Sequence, residues 1–526
     1  MSAEIDAREN GPGEARRPRL YDLAALALTA AATAGYGWLC VYRNDHFASN
    51  AFDLGDQDQT IWGYSRFKVI YNTVQGIPNL LGDHFHPILV TLAPLYWLWD
   101  SPDAILVAQA LLVAVAGIPV YLWAAKQLGG GPGLAFQAAF LLFWGVQAGL
   151  IYDFHHVAFA VPALAVALYA VLERRNRLLL AAVVVCMLTR EDVALTVAAL
   201  GLYIAVVQRR WILGTVLLVC QVGWFLLLID VVMPALAGTP YRHWTYQALG
   251  SGPRSALVHV LTHPLSSLKL LFTPGEKVRV WIGLLGSWLF LPLVSPLFLV
   301  AIPSLLARFW SSEATLWSFH YQYTLVEAPI LAFAAIDTAA RVARHAPLAT
   351  RLRRAVALTP AVAILAATSV LSFAVIRPLA EVTTYVSDAR AAEIQGCLDV
   401  IPPGASVTAS NFLLPHLAHR PVIYLITSNL DADYMAIDLS TYRNFFPGEE
   451  AQLRTDVINA LAGDYGVACT RGETVVLARG APSHTLSPEL TRWLAGQCSG
   501  GGCAVSGAVG SGAAAGRSKG RSLPAA

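Results

Sequence analysis

The sequence F-D-L-G-D-Q-D-Q at residues 52–59, followed by G-D-H-F-H-P at residues 82–87, decides how the rest of the chain is interpreted. These two motifs place four carboxylates and two histidines in one polar segment between apolar runs: Asp53, Asp56, Asp58, Asp83, His84 and His86. Only 13% of the residues are charged, so this density of ionisable groups beside apolar segments indicates a functional site. A solvated acidic loop is the alternative interpretation.

Composition predicts the class of protein. Hydrophobic residues make up 56% of the chain, and apolar runs of nearly twenty residues recur along it. We therefore predict an α-helical polytopic membrane protein with about eleven spans between residues 21 and 376. No phosphate-binding glycine loop, zinc signature or nucleophile elbow occurs in a suitable context, and no basic and aromatic surface indicates nucleic-acid binding.

The distribution of basic residues predicts the orientation. A basic arm at residues 1–20 places the N-terminus in the cytoplasm by the positive-inside rule. The first span, residues 21–41, then leads to a large outer loop at residues 42–103. Within this loop we expect two helices lying along the membrane surface, one within residues 58–69 and one within residues 88–99.

Beyond residue 376 the composition changes to that of a soluble domain. Residues 377–485 combine β-type runs with helical stretches and predict a small extracytoplasmic α/β domain. Cys397 and Cys469 fall inside it, and the sequence leaves open whether they form a disulfide. Residues 486–526 are rich in Gly, Ala and Ser and predict a disordered tail.

Six short motifs follow one another along the chain. They are F-D-L-G-x-x-D-Q at residues 52–59, H-F-H-P-I-L at 84–89, D-F-H at 153–155, R-E-D at 190–192, F-H-Y at 319–321 and N-F-L-L-P-H-L-A-H-R at 411–420. Over about residues 20–480 they resemble the bacterial membrane-protein family called domain of unknown function 2079. Two positions depart from the family pattern: His156-Val157 stands where Pro-Glu usually follows D-F-H, which removes a carboxylate, and Arg190 stands where Lys is more frequent.

That family is similar to the GT-C glycosyltransferase superfamily. The corresponding pieces here are Asp53 after the first span, His86-Pro87, the amphipathic run at residues 88–99 and the span at residues 104–126. The resemblance implies transfer of a hexose or pentose from a polyprenyl-phosphate donor to an envelope glycan, lipid or protein acceptor. It also implies a multi-pass protein of the bacterial cytoplasmic membrane that acts at the outer face. Fold likeness alone leaves the enzymatic activity open, so the activity has to be argued from the site.

The resemblance assigns roles to the ionisable residues. Glycosyl transfer needs a carboxylate that takes the proton of the acceptor hydroxyl, and Asp53 and Asp153 are the candidate catalytic residues. The departing phosphate needs positive charge or hydrogen-bond donors. The candidate substrate-binding residues are Asp58, His84, His86, His155, Arg190, Glu191, Arg242, His320 and Tyr321. A divalent cation, Mg²⁺ or Mn²⁺, would take ligands from Asp53, Asp153 and His155.

Other interpretations remain open at this point. Asp53 can be an N-cap of the following helix, Arg190 can belong to a self-neutralising hairpin tip, and His320-Tyr321 can anchor the chain at the interface. For the whole protein, the alternatives are a transporter or lipid flippase and a non-catalytic envelope assembly factor. The ionisable residues concentrate at one predicted membrane face rather than at midplane, which argues against a transporter.

Overall fold

Apolar helices make up most of the chain up to residue 373. The computed structural model describes residues 18–345, 359–373, 386–440, 449–483 and 485–496. The helices of this part are α1 Pro18–Asp45, α2 Asp56–Ser65, α3 Asp103–Val115, α4 Gly117–Leu128, α5 Gly130–Leu141, α6 Trp144–Ile151, α7 Ala160–Leu172, α8 Asn176–Met187, α9 Val193–Val206, α10 Trp211–Leu227, α11 Met233–Ala237, α12 Pro253–Thr262, α13 Pro264–Leu270, α14 Gly275–Gly286, α15 Ile302–Trp310, α16 Glu327–His345 and α17 Thr359–Phe373. Short 3-10 or π-helical segments at Ala51–Gly55, Leu80–Gly82, Pro87–Trp97, His156–Phe159, Leu228–Val232, Leu291–Val294, Pro296–Ala301 and Gln322–Thr324 connect or extend them.

Three helices of the described chain are long and apolar enough to cross a membrane. They are Leu20–Asp45, Asp103–Leu128 and Trp211–Ala237, and α5 with α6, bent by 42°, would form a fourth span. The other apolar helices have 10–17 residues, fewer than the roughly 20 that cross a bilayer core. The structure thus agrees with a membrane protein, but the predicted count of about eleven spans is not confirmed. The basic arm up to residue 17 lies outside the described residues.

Close helix packing explains how the short helices form one core. α7 and α16 are largely buried, and Trp144, Trp288 and Phe333 are fully enclosed among them. α9 and α10 approach most closely at Gly201 and Gly214, where a Cβ added to Gly201 would lie 2.8 Å from the Gly214 carbonyl oxygen. Small residues at such crossings let backbones touch, which is the usual means of helix association within a bilayer.

The first loop, residues 46–102 between α1 and α3, contains the two predicted surface helices with different bounds. The first is α2, which begins at Asp56 rather than at residue 58 and ends at Ser65. The second is the 3-10 helix Pro87–Trp97, which contains a proline at position 94. Since proline has no N–H to donate, a continuous α-helix is disfavoured there. Both helices bury apolar side chains against each other, including Ile61 and Leu89.

The C-terminal domain, residues 386–496, is a mixed five-stranded sheet with helices. Its elements are α18 Asp388–Leu398, β1 Val407–Ala409, β2 Ile423–Leu425, β3 Tyr434–Asp438, α19 Glu449–Ala462, β4 Tyr465–Arg471, β5 Thr474–Arg479 and α20 Pro488–Leu494. The strand order is β2-β1-β3-β5-β4, with β1 parallel to β2 and β3 and with β5 antiparallel to β3 and β4. Cys397 and Cys469 form a disulfide that ties α18 to β4.

Helix α20 lies inside the segment from residue 486 that was predicted to be disordered. The Ser487 side chain accepts a hydrogen bond from the Leu490 amide, and a proline occupies the first turn. Both features are typical of a helix start. Trp493 is buried against the domain core, so this part of the tail is packed. Residues from 497 onward lie outside the described residues.

The C-terminal domain packs against the first loop through the motif at residues 411–420. The Ala51 amide donates to Asn411 Oδ1 at 3.0 Å, and the Gln59 side-chain amide donates to the Arg420 carbonyl oxygen at 3.3 Å. Leu413, Leu414 and Leu417 share an apolar cluster with Phe47 and Ala51. Two motifs separated by some 360 residues thus form one interface beside the site.

Candidate functional site

A polar cavity of about 270 Å³ opens at one end of the apolar helices. Its walls come from the first loop, the turn after α6, the α8–α9 turn, the segment after α11, α15 and the start of α16. The ionisable residues that line it are Asp53, Asp56, Asp83, His84, His86, His155, His156, Arg190, Glu191, Asp192, Tyr241, His243, Tyr246, Arg308, Tyr323 and Glu327. The motifs at residues 52–59, 84–89 and 190–192 thus contribute to one cavity, and the D-F-H motif contributes His155.

The structure brings together six of the predicted site residues. Those that line the cavity are Asp53, His84, His86, His155, Arg190 and Glu191. The remaining predicted residues, Asp58, Asp153, Arg242, His320 and Tyr321, are not among the residues lining it.

Asp53 lies in the π-helical turn Ala51–Gly55, with its side chain 23% exposed. Its Oδ1 is 3.8 Å from His155 Nδ1. Burial and the neighbouring charge of Asp153 raise the pKa of Asp53 well above its usual value, although a hydrogen bond from Tyr152 lowers it. The N-cap of α2 is Gly55, so Asp53 does not serve as its cap. A carboxylate with a raised pKa is a stronger base once ionised, which suits proton abstraction near neutral pH.

Asp153 does not line the cavity, but it binds the residue that precedes the turn containing Asp53. It has a positive φ of 77°, an uncommon conformation for a residue other than glycine. Its Oδ2 accepts hydrogen bonds from the Asn50 backbone amide at 2.9 Å and from the Asn50 side-chain amide at 2.8 Å. Gln109 donates to the Asp153 carbonyl oxygen at 2.7 Å. These contacts hold the residue that precedes the Asp53 turn.

His84 and Glu191 form a hydrogen-bonded pair across the cavity wall. His84 Nδ1 lies 2.8 Å from Glu191 Oε1, and the Phe85 amide donates to Glu191 Oε2 at 3.2 Å. Burial lowers the pKa of His84, but the charge and hydrogen bond of Glu191 outweigh it and raise that pKa to about 9. Glu191 faces His84, while Arg190 forms a bidentate ion pair with Asp192, as the hairpin-tip interpretation expected.

Arg308 of α15 and Glu327 of α16 also line the cavity. Arg308 donates to Thr324 Oγ1 at 2.8 Å and to the Ser318 carbonyl oxygen at 3.1 Å. Glu327 Oε1 accepts from Ser304 at 2.8 Å, whereas Oε2 has no hydrogen-bond partner among the described residues. Charged side chains on apolar helices are costly unless they are used, so both belong to the candidate site.

Sequence reasoning missed His243, Tyr241 and Arg308. The segment Y-R-H-W-T-Y at residues 241–246 forms neither a helix nor a strand, so no periodic pattern indicates which of its side chains enter the cavity. Tyr241 and His243 line the cavity, while the predicted Arg242 between them is exposed. The signal for Arg308 was available, because it is the one charged residue in the apolar segment at residues 296–310.

The other predicted residues have identifiable places. Asp58 is fully buried and accepts hydrogen bonds from Tyr96 and from His419 of the C-terminal domain. His320 is exposed, and Tyr321 packs edge-on against Tyr152 with ring centroids 4.5 Å apart. Tyr321 therefore touches a neighbour of Asp53 without reaching the cavity wall.

The predicted metal ligands do not share one face of the cavity. Asp53 and His155 are near each other, but the Asp153 carboxylate is engaged by Asn50. Instead, donor atoms of Asp83, His84 and His243 lie within 4.8 Å of one another. Burial raises the pKa of Asp83, but the His243 hydrogen bond and the charge of His84 outweigh it and place that pKa below its usual value.

Comparison with solved structures gives the fold. The chain is similar to ArnT from Cupriavidus metallidurans bound to undecaprenyl phosphate, with a TM-score of 0.54 and 15% identity over 89% of this chain and 99% of ArnT. Apo ArnT gives a TM-score of 0.48 at 14% identity, over 88% of this chain and 97% of that one. The oligosaccharyltransferase AglB from Archaeoglobus fulgidus gives 0.44 at 11% identity, over 86% of this chain and 73% of that one. No curated protein matched the chain.

The likeness shows that the chain shares the fold of ArnT, which agrees with the helical membrane fold that the motifs predicted, and the structure adds a small sheet domain at the C-terminal end. The profile of one family, described as a predicted membrane protein (DUF2079), matches residues 43–464. That range contains all six motifs and every residue lining the cavity. The chain therefore belongs to the DUF2079 family of predicted membrane proteins.

Proposed function

We propose that this protein is a glycosyltransferase that moves a sugar from a polyprenyl-phosphate donor to a hydroxyl of a cell-envelope acceptor. The observation that carries the proposal is Asp53: a carboxyl with a raised pKa in a cavity that also contains Arg190, Arg308 and His84. A base and groups that interact with phosphate are the two requirements of this reaction. The GT-C fold, which is also that of an undecaprenyl phosphate-bound protein, supports a lipid-linked donor.

In the proposed reaction the acceptor oxygen attacks the anomeric carbon of the donor sugar. The new C–O bond forms as the bond from that carbon to the phosphate oxygen breaks. Asp53 takes the proton of the acceptor hydroxyl, and the polyprenyl phosphate leaves with the bonding electron pair. Positive charge from Arg190 and Arg308 stabilises the departing phosphate.

The same proposal includes the setting in the membrane. We place the protein in the bacterial cytoplasmic membrane with about eleven passes, an N-terminus in the cytoplasm, and the cavity and C-terminal domain outside. The large hydrophobic fraction and the family's description as a membrane protein support the membrane location. Asp53 follows directly after α1 and the loop at residues 46–50, so a lipid headgroup at the end of that span would meet it.

The test is transfer by the purified protein in lipid nanodiscs, supplied with a panel of polyprenyl-phosphate sugars and acceptor lipids or glycans. Asp53→Asn keeps the size of the side chain and removes the base. We expect its turnover to fall by about 10²-fold or more, which is typical for loss of a general base. Asp45→Asn is the matched control, because Asp45 is an exposed carboxylate of the same region that does not line the cavity.

Equal turnover of wild type and Asp53→Asn would contradict the proposed role of Asp53. Absence of transfer with every donor, together with substrate movement across the bilayer by the same preparation, would favour the transporter or flippase. A deletion strain whose envelope is restored by Asp53→Asn would favour the assembly factor.

A further inference from the structure

Carboxyl groups outnumber guanidinium groups on the cavity wall. Its carboxylates are Asp53, Asp56, Asp83, Glu191, Asp192 and Glu327, whereas its guanidinium groups are Arg190 and Arg308. Arg190 is already paired with Asp192, and Arg308 donates to carbonyl and hydroxyl oxygens. A phosphate entering this cavity would lie close to several carboxyl groups, and a bound cation would offset their repulsion.

Three side chains on one side of the cavity have the donor types of a transition-metal site. The donor atoms of Asp83, His84 and His243 lie within 4.8 Å of one another. His243 Nε2 is 3.3 Å from Asp83 Oδ1, and the rings of His84 and His243 are stacked with centroids 4.2 Å apart. Two imidazoles and one carboxylate suit zinc and related first-row ions, whereas magnesium and calcium prefer oxygen ligands alone.

A hydrogen bond to Glu191 fixes the orientation of the His84 ring. Its Nδ1 is held by Glu191 Oε1 at 2.8 Å, and Glu191 is itself held by the Phe85 amide and by the Tyr241 hydroxyl at 3.4 Å. This arrangement leaves Nε2 of His84 for a metal ion. A carboxylate behind a ligating histidine is the common means by which proteins orient such a ligand.

Buried polar atoms in the same cavity provide an independent observation. Asp56 Oδ1, His86 Nδ1 and His156 Nε2 have no hydrogen-bond partner among the described residues. All three side chains are more than nine-tenths buried and line the cavity. The ring of His156 lies between those of His84 and His86, with centroid distances of 5.3 and 4.5 Å. Buried polar atoms are nearly always satisfied, so these indicate a ligand or its bound water.

We propose that Asp83, His84 and His243 bind a divalent first-row transition metal of the zinc class in the wall of this cavity. A water or the substrate would occupy the open fourth position. The proposal that a metal binds depends only on the geometry of these side chains. Its role, which is to balance the carboxylates and contact the phosphate of the donor, rests on the proposed function.

The test is metal content of the full-length protein, purified in detergent, loaded with Zn²⁺ and dialysed before elemental analysis. We expect one retained equivalent in the wild type and at least about tenfold weaker binding in His84→Ala and His243→Ala. The control is the double variant His259→Ala/His263→Ala, because the rings of these two histidines are stacked with centroids 4.8 Å apart, do not line the cavity and form the competing imidazole pair. The control should retain its equivalent.

Zinc retention that survives both cavity variants, or that disappears in the control, would overturn the proposal. X-ray absorption of the zinc-loaded wild type gives a second reading that needs no variant. It should show two imidazole ligands at about 2.0–2.1 Å, and a shell of oxygen or sulfur alone would contradict the site. Both readings are made without substrate, so a failed transfer assay does not affect them.

Discussion

His419 Nε2 lies 3.1 Å from Asp58 Oδ1, and this contact joins the C-terminal domain to the first loop. The other ring nitrogen, Nδ1, lies 3.0 Å from Asp100 Oδ1, so one imidazole bridges two carboxylates. Burial lowers the pKa of His419, but Asp58 and Asp100 outweigh it and raise that pKa. Asp58 is fully buried, so its carboxyl oxygen relies on the hydrogen bonds from His419 and Tyr96 in place of water. Asp58 therefore belongs to the interface between the first loop and the C-terminal domain, and it does not line the cavity.

The first prediction concerns this bridge. His419→Ala removes a hydrogen-bond donor from buried Asp58 and should lower the free energy of unfolding by about 1–3 kcal/mol. Thermal unfolding in detergent and protease release of the C-terminal domain measure the effect. His320→Ala, at an exposed histidine, is the control and should leave both readings unchanged.

The pH dependence of this bridge has a definite sign. A histidine whose pKa is raised on folding stabilises the protein fully below its ordinary pKa of about 6.5 and loses that contribution as the pH rises through the raised value. The difference between wild type and His419→Ala should therefore shrink above neutral pH. A difference that grows with pH would contradict the assignment.

A second prediction concerns the acid side of the pH–rate profile. Burial and Asp153 raise the pKa of Asp53, so transfer should decline at a higher pH than the ordinary aspartate value of about 3.9 would give. Tyr152→Phe removes the hydrogen bond that lowers this pKa, and the acid limb should move further upward. Tyr434→Phe, in the C-terminal sheet, should leave the limb in place. A downward displacement in Tyr152→Phe would contradict the proposed role of Asp53.

A third prediction concerns the close approach at Gly82, next to Asp83. A Cβ at this position would lie 2.7 Å from the Ala237 Cα, inside the backbone of α11. Gly82→Ala should therefore shift the first loop against α11, lower the free energy of unfolding by about 1–3 kcal/mol and weaken zinc retention. Gly275→Ala is the control, because an added Cβ meets nothing within 4 Å there. Unchanged stability in Gly82→Ala would show that the approach is looser than described.

A fourth prediction concerns the disulfide between Cys397 and Cys469. The bond spans 72 residues, and a cross-link of that length stabilises a folded domain by about 4 kcal/mol on the chain-entropy model. Cys397→Ser/Cys469→Ser should make the C-terminal domain much more sensitive to protease. Cys220→Ser, at an exposed free cysteine, is the control. Equal protease resistance of the double variant and the wild type would contradict this contribution.

The C-terminal domain and its tail illustrate what local patterns convey. The β-type run at residues 406–409 and the run at residues 422–426 correspond to β1 and β2 because alternation and β-branched residues act over a few neighbours. Composition alone suggested disorder from residue 486, yet S-P-E-L at residues 487–490 begins α20. The Ser487 cap and the burial of Trp493 stabilise this helix even though the surrounding composition is typical of disorder.

The candidate site divides in the same way. The sequence by itself determined the membrane class and the family, and it named Asp53, His84, His86 and His155 as candidate site residues, because these signals lie in runs of composition and in short ordered motifs. Only the tertiary structure decided that Asp58 and Asp153 support the chain while His243 and Arg308 join the cavity. The physical reason is that side-chain direction and helix crossings depend on contacts between segments hundreds of residues apart, and no local pattern specifies those contacts.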